Sequence, residues 1–384
     1  MKPLAITAYT ATSALGRGLA AMLDALRRGA GGLKPNDFDR AELRAWIGRV
    51  AGLEDEPVAG ALAEFDCRNN RLAQLGLAQD GFMDAVAQAR AKYGAKRVAV
   101  LLGTSTSGIL QTELAYRTKE LQTLRYRYAQ NLYSMTDFVR RALALEGPAM
   151  TISTACSSSA KVFASAARYI EAGVADAAVV GGVDSLCLTT LHGFSSLQLV
   201  SDEPCRPFDA ARKGMSIGEA AGFALLQKNE SAIALVGYGE SSDAYHMSTP
   251  QPEGEGALAA MRQALARAGL EPAAIDYVNA HGTATPANDR AEDRAIVRLF
   301  GASVPVSSTK GWTGHTLGAA GIVEAVVCFL ALEHGLIPAT LNSSAIEPGL
   351  ESQIVLQNRN SRLRHALSNS FGFGGSNCSL VFAA

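Results

Sequence analysis

"VLLGTST" at residues 100–106 and "VNAHGTAT" at 278–285 are one short phrase written twice, an apolar run that ends in Gly-Thr-Xaa-Thr. A second pair follows each of them, "TISTACSSSA" at 151–160 and "PVSSTKGWTGH" at 305–315, where a strand end rich in Ser and Thr opens a loop and a helix. Short apolar runs bounded by Gly and hydroxyl residues read as strands that finish in tight turns. Written twice at this spacing, they predict a duplicated fold with its boundary near Gly239, in two halves of about residues 1–240 and 241–384. Both chemically rich segments then sit at equivalent strand-to-helix turns, where open α/β sheets bind their ligands. "RVAVLLG" (97–103), "DAAVVGG" (176–182), "AIALVGYG" (232–239) and "IDYVNAHG" (275–282) alternate with alanine-rich helical stretches at 256–269 and 318–334. The alternation predicts an α/β protein in layers of helix and sheet. No long Pro/Gly/Ser linker interrupts it, so the halves form one compact unit.

A chain of 384 residues that is 48% apolar has the means to bury a large core. Its formal charge of −1 contains no basic excess for nucleic acid and no polybasic tract for an anionic membrane. Any acidic partner must be met by a local patch. The six cysteines, at 67, 156, 187, 205, 328 and 378, include no Cys-Xaa-Xaa-Cys pair and lie at no metal-ligand spacing from a histidine. That usage fits a reducing compartment. The first residues, "MKPLAITAYTATSALGRG", read as strand, turn and helix, because Thr and Tyr interrupt any signal-like apolar core. No apolar run is expected to reach the roughly 18 residues of a membrane span. The expectation is a cytoplasmic protein without a membrane span, a resident metal or a nucleic-acid partner.

Cys156 lies inside a run of small hydroxyl residues where the β-type stretch becomes helical. A free thiol is only about 3% ionised at pH 7, whereas a helix starting at Cys156 would lower its pKa by about 1.5 units. Ser157, Ser158 and Ser159 suit such a start, and "AKVFASAARYIEAG" carries the helix to a glycine stop. The segment alone leaves two readings, an activated nucleophile or a buried structural cysteine. Two histidines bear on the choice. His281 and His315 both follow strands and both sit beside Gly and Thr. Lys310 precedes His315 by five residues, and Glu324 stands in the otherwise apolar "GIVEAVVCFLALEHG". A carboxylate there either pairs with a cation such as Lys310 or faces solvent. Asp289 and Glu292 in "ANDRAEDRAI" read as a capping box, and therefore as structural. "SNSFGFGGSN" (368–377) matches neither a P-loop nor a dinucleotide fingerprint. Its Phe373, set between glycines, suits a movable apolar plug.

The four ordered motifs "STACSSSA", "NAHGTATP", "SSTKGWTGHTLGAAG" and "SNSFGFGGSN" resemble those of the β-ketoacyl-ACP synthases of the thiolase-like, condensing-enzyme superfamily. The likeness runs from about residue 4 to the C-terminus. "CRNNRLAQLGLAQ", "LLGTSTSGI", "GEAAGFALL" and "GESSDAYHMSTPQPEGEGA" place it nearest the ketosynthases of bacterial aryl-polyene pathways. The resemblance implies a thiolase-like duplicated fold layered helix–sheet–helix–sheet–helix, and a decarboxylative Claisen condensation of malonyl-ACP with an acyl chain held on Cys156. It implies that His281 and His315, both neutral with Nε2–H as donor, hold the malonyl-thioester carbonyl. Lys310 and Glu324 form a buried pair that orients His315. The backbone N–H groups of Cys156 and Phe373 make the oxyanion hole, and Phe373 gates the site. Thr283 and Thr285, with Gly374 and Gly375, bind the phosphopantetheine arm. No resident cofactor is implied beyond that arm, which belongs to the acyl carrier protein. The implied assembly is a homodimer, or a heterodimer with a chain-length-factor-like paralogue.

Two positions depart from the family pattern: Lys213 stands where an acidic residue is common, and Gln198 where a basic carrier-docking residue is common. Arg68 and Arg71 remain as docking candidates for an acidic carrier helix, or as members of a solvated face. The rival readings are a housekeeping fatty-acid elongation synthase and a non-catalytic chain-length partner. Retention of Cys156 with both histidines argues against the second. Cys378 near the gate loop suggests a thiolase only weakly, because the His281/His315 pair belongs to the decarboxylating branch.

Overall fold

The computed structural model describes residues 1–38 and 41–384. Five strands, β1 (Leu4–Ser13), β2 (Val98–Gly103), β3 (Ala149–Ile152), β4 (Ala177–Asp184) and β5 (Ala220–Gln227), are followed by five more, β6 (Ala234–Ser242), β7 (Tyr277–Asn279), β8 (Pro305–Ser307), β9 (His365–Gly372) and β10 (Ser376–Ala383). The first five lie in the order β3-β2-β4-β5-β1 and the second five in the order β8-β7-β9-β10-β6. The pairing senses repeat as well. In the first half β2 runs parallel to β3 and β4, while β5 is antiparallel to β4 and β1. In the second, β7 runs parallel to β8 and β9, while β10 is antiparallel to β9 and β6. The echo of Gly-Thr-Xaa-Thr is thus a true duplication, since β2 and β7 occupy the same place in each half. The halves join edge to edge where Leu4 and Ala5 of β1 pair with Leu235 and Ala234 of β6. The second set of strands therefore begins at Ala234, and the division expected after residue 240 cuts through β6.

Helices α1 (Arg68–Leu77), α2 (Phe82–Tyr93) and α3 (Tyr133–Ala142) cover the outer face of the first half. α4 (Ser158–Glu171) lies inside, and α5 (Leu188–Ser196) follows β4. α6 (Glu255–Ala268) and α7 (Pro286–Phe300) cover the outer face of the second half, and α8 (Ala320–His334) joins α4 in the middle. The layers are helix, sheet, helix, sheet, helix. Central strands need apolar side chains on both faces in such a stack, and β4 obeys. Ala178 and Val180 point to the α4/α8 layer while Ala177, Val179 and Val183 point outward. The inner helices cross closely: a Cβ on Gly321 of α8 would lie 2.5 Å from the Ala160 backbone nitrogen of α4. Gly335 at φ +61° ends α8 in the left-handed cap that glycine favours.

The absence of an apolar run of spanning length, expected above, does not hold at α8. The stretch Leu317–His334 has 18 residues of mean hydropathy 1.7, so an apolar run does reach spanning length. It is 89% buried between the two sheets, and that position accounts for its composition.

Candidate active site

Cys156 stands in the turn between β3 and α4. Ala155 is held at φ +51°, and Ser158 Oγ accepts the Thr154 amide at 2.9 Å while donating to the Ala155 carbonyl at 2.6 Å. The helix begins at Ser158, with Ser157 as its N-cap, two residues later than expected. Cys156 is 5% exposed, and burial pushes its thiol up to about 11, against the pull of the Lys310 charge and the Phe373 amide. The expected resting thiolate is corrected: desolvation outweighs the helix end, so at neutral pH Cys156 is a thiol. Its charge must appear only as a proton leaves.

His281 follows β7 in a turn whose His281 and Gly282 amides donate to Glu292 Oε1 and Oε2 at 2.8 and 2.7 Å. Lys310 Nζ lies 3.2 Å from His281 Nδ1 and also reaches the His281 carbonyl. An ammonium group only donates, so Nδ1 accepts and the ring proton sits on Nε2. His315 reaches the same state by other means. Its main chain is pinned by Ser216 and Gly218, and its Nδ1 accepts the Leu317 amide at 3.3 Å. That leaves Nε2–H, 2.9 Å from Cys156 Sγ. The two rings stand edge-on, 5.3 Å apart. Burial holds both imidazoles well below their usual pKa, and the Lys310 charge adds to it. They are neutral at pH 7.

The ligand atoms of Cys156, His281 and His315 lie within 4.8 Å of one another, close enough to hold a metal ion. Yet each imidazole turns an N–H rather than a lone pair toward the gap. The donor set suits an oxygen gaining negative charge better than a cation.

Lys310 and Glu324 are 2% and 3% exposed and ion-paired, so the solvated alternative for Glu324 is excluded. The pair addresses His281 rather than His315, a correction to the expected role. Burial pushes the Glu324 carboxyl up to about 7, although Lys310 draws it back. Asp289 and Glu292 form no capping box. Both are buried, with Asp289 accepting the Phe208 amide at 2.8 Å and Glu292 fixing the His281 turn. Their role is structural, but Glu292 exerts it on the loop of a site histidine and Asp289 on the Phe208 loop and Arg212, instead of on a helix end.

These groups open into a cavity of about 350 Å³ that Thr283, Thr285, Phe194 and Phe373 also line. The two threonine hydroxyls are 2.8 Å apart. Phe373 stacks edge-on against Phe194 at 5.5 Å, and its amide faces Cys156 Sγ. Gly374 and Gly375 follow at φ +81° and +77°, a double left-handed turn that admits side chains at a steric cost. Gly374 donates to the Met247 carbonyl at 2.8 Å, tying the turn to an exposed loop at the cavity mouth.

Arg68 and Arg71 lie elsewhere. The Arg68 guanidinium, 8% exposed, is forked onto wholly buried Glu219 and also meets Glu54. Arg71 is forked onto Asp66. Both are engaged within the chain, Arg71 while still partly exposed, and Arg68 is not on a solvated face; it neutralises Glu219, which accepts the Val50 and Leu186 amides. Lys213 pairs with Glu203, and Gln198 sits at φ +58° just beyond α5.

Sequence reading passed over Phe194, Glu219 and Asp184. Phe194 gave no signal, being one aromatic residue in a mixed helix. Asp184 had one, as the lone carboxylate closing an apolar strand.

A two-half layered fold with Cys156 and His315 at equivalent turns, and His281 facing them, is of the thiolase-like class. The comparisons agree. Residues 1–232 match the model of the beta-ketoacyl synthase N-terminal domain and residues 233–344 that of the C-terminal domain; the chain belongs to the beta-ketoacyl synthase family. It is 42% identical over 262 residues to the mitochondrial 3-oxoacyl-[acyl-carrier-protein] synthase of Arabidopsis thaliana, covering 62% of this chain and 57% of that one. The chain spans about three-fifths of the length of that relative. It is 33% identical to 3-oxoacyl-[acyl-carrier-protein] synthase 2 of Staphylococcus aureus, over 88% of this chain and 93% of that one. Among solved structures, the ketosynthase ApeO in complex with its chain length factor ApeC from Xenorhabdus doucetiae superposes with a TM-score of 0.92 at 40% identity, covering 100% of this chain and 98% of that chain. The ishigamide ketosynthase/chain length factor superposes at 0.90 with 25% identity, covering 100% and 99%.

Proposed function

We propose that the protein makes β-ketoacyl thioesters by decarboxylative condensation. The observation that carries this reading is the facing of Cys156 by two neutral imidazoles whose outer nitrogens are occupied by donors, so that both present Nε2–H to one point. In the first half-reaction Cys156 Sγ attacks an acyl thioester of a carrier protein. The new C–S bond forms as the old one breaks, and the cysteine proton leaves with the carrier thiol. In the second, the bond from the malonyl α-carbon to its carboxylate breaks. CO2 departs and the electron pair enters an enolate whose oxygen is received by His281 and His315. Donors that meet charge only as it develops favour the transition state over the ground state. The α-carbon then attacks the acyl carbonyl on Cys156, the amides of Phe373 and Cys156 receive the second oxyanion, and the sulfur leaves and takes one proton to become a thiol again. Thr283, Thr285, Gly374 and Gly375 line the approach of the phosphopantetheine arm. Substrates arrive on that arm, so the reaction calls on no resident cofactor.

The full-length likeness to ApeO supports an aryl-polyene or related polyene chain as the substrate. Relatives named 3-oxoacyl-[acyl-carrier-protein] synthase support housekeeping fatty-acid elongation as the second reading. ApeO is in complex with its chain length factor, which supports a paralogue of that kind or a second copy of this chain as the subunit partner. Six unpaired cysteines support a cytoplasmic setting.

Intact-mass analysis after incubation with a panel of saturated and conjugated acyl-carrier thioesters decides the substrate. Cys156→Ala is expected to take up no acyl group, whereas Cys156→Gln still releases CO2 from malonyl-carrier. His281→Ala and His315→Ala should acylate and fail to decarboxylate. Turnover by Cys156→Ala would end the proposal.

A further inference from the structure

Asp184 closes β4, and no step of the reaction above touches it. Its carboxylate is wholly buried. Oδ1 accepts the Thr104 hydroxyl at 2.6 Å, the Ser105 and Thr106 amides at 2.9 Å each and the Thr106 hydroxyl at 2.8 Å. Oδ2 accepts the Gly318 amide at 2.6 Å, the Ser105 amide at 3.0 Å and the Ser105 hydroxyl. One side chain from the first half thus holds both the loop after β2 and the loop that leads from His315 into α8.

The residue before Gly318 shows what that hold does. Leu317 stands at φ +54°, a left-handed conformation that is strained for leucine, and it is the Leu317 amide that occupies His315 Nδ1. Such strain persists only where the surroundings over-determine it. Gly318 is packed against its anchor, since a Cβ there would lie 2.7 Å from Asp184 Oδ2 and 2.8 Å from the Ser105 nitrogen.

We propose that Asp184 is a positioning residue of the condensation: by pinning Gly318 it keeps the Leu317 amide on His315 Nδ1 and so fixes the imidazole as the Nε2–H tautomer facing Cys156. The inference rests on the reading of His315 as an oxyanion donor. Released, the turn relaxes and Nδ1 loses its donor. The ring proton then moves to Nδ1, and a lone pair faces the cavity. That tautomer accepts a proton from the Cys156 thiol, so acylation is not impaired. It repels the malonyl-thioester oxygen, so decarboxylation is. Of the other groups that face the ring, His281 and Lys310 are unchanged, and Cys156 only loses the Asp184 charge that helps raise its thiol, which does not hinder acylation.

Asp184→Asn replaces one acceptor oxygen by an N–H donor and sets it against the Ser105 or Gly318 amide. CO2 release from malonyl-carrier should fall about 100-fold, the usual effect of losing one oxyanion donor, while acylation of Cys156 stays within about threefold of wild type. Nitrogen-15 NMR of histidine-labelled protein should show His315 protonated at Nε2 in the wild type and a mixture of tautomers in the variant. Gly318→Ala leaves Asp184 in place and presses a methyl onto Oδ2; it should give the same split if Asp184→Asn does not fold. Folded variants in which both half-reactions fall together, or in which the tautomer and CO2 release are unchanged, overturn the proposal. If His315→Ala keeps normal CO2 release, the reading of His315 has failed, and the NMR measurement still reports whether Asp184 controls its tautomer.

Discussion

At the scale of single residues, the site is governed by desolvation. Cys156, His281, His315, Lys310 and Glu324 are all nearly inaccessible, and burial drives the thiol up and both imidazoles down. Every one of these groups except Lys310 and Glu324 therefore rests uncharged, and charge is created only during a chemical step. Glu324 is the exception open to titration. Its carboxyl, pushed up to about 7, takes up a proton as the pH falls through neutrality and then no longer holds the Lys310 ammonium against His281. CO2 release should be full above that pH and decline below it. Glu324→Gln should abolish this acid limb and lower the plateau roughly tenfold, about 1.4 kcal/mol of transition-state stabilisation. A pH–rate profile of malonyl decarboxylation checks both, and a limb that persists in Glu324→Gln assigns it to another group. Cys156 and the two histidines were legible in the sequence because each sits among Gly, Ser and Thr, where turn chemistry announces a strand end. The partner of Lys310 was not, because which imidazole its amine reaches depends on how two loops far apart in the chain meet.

At the scale of elements, the inner helices carry the site on their N-terminal approaches, Cys156 ahead of α4 and His315 ahead of α8. Their close crossing sets how near those two turns lie. Gly321→Val would bring a side chain to 2.5 Å from the Ala160 backbone, and overpacking of that kind costs on the order of 2–3 kcal/mol. Gly193→Ala in α5 meets nothing within 4 Å and should raise stability by about 0.5–1 kcal/mol, as removal of a helical glycine does. Thermal unfolding of the two variants tests the contrast; equal midpoints would mean that the crossing yields at little cost. The alanine-rich pattern and the glycine stops located both helices in the sequence. The burial of α8 on nearly every side was harder to read, and it yields a composition that would also suit a membrane span.

At the scale of the whole molecule, opposing buried titrations should flatten the dependence of stability on pH. His281 and His315 have pKa values depressed by the fold, so the unfolded chain binds more protons below about 6.5 and stability falls as the pH drops. Glu292 and Glu324, pushed up to about 7, and Asp289, to about 6, work the other way: the folded chain binds more protons, and stability rises as the pH drops toward 4.5. The double variant His281→Ala/His315→Ala keeps the second set alone. Its stability in urea should increase from pH 7 to pH 5 while that of the wild type changes little; a decrease on acidification would refute this balance. The same scale separates what is written along the chain from what is not. Repeated Gly-Thr-Xaa-Thr turns, alternating strands and helices and the order of four motifs determined the duplicated layers and the places of Cys156 and both histidines, because each is a local pattern of period and turn chemistry. Only the tertiary structure decided that Cys156 rests as a thiol, that Lys310 serves His281, that Arg68 neutralises Glu219 and that Asp184 reaches across to the His315 loop. Those depend on desolvation and on contacts between distant segments, and neither is a property of any stretch of sequence taken alone.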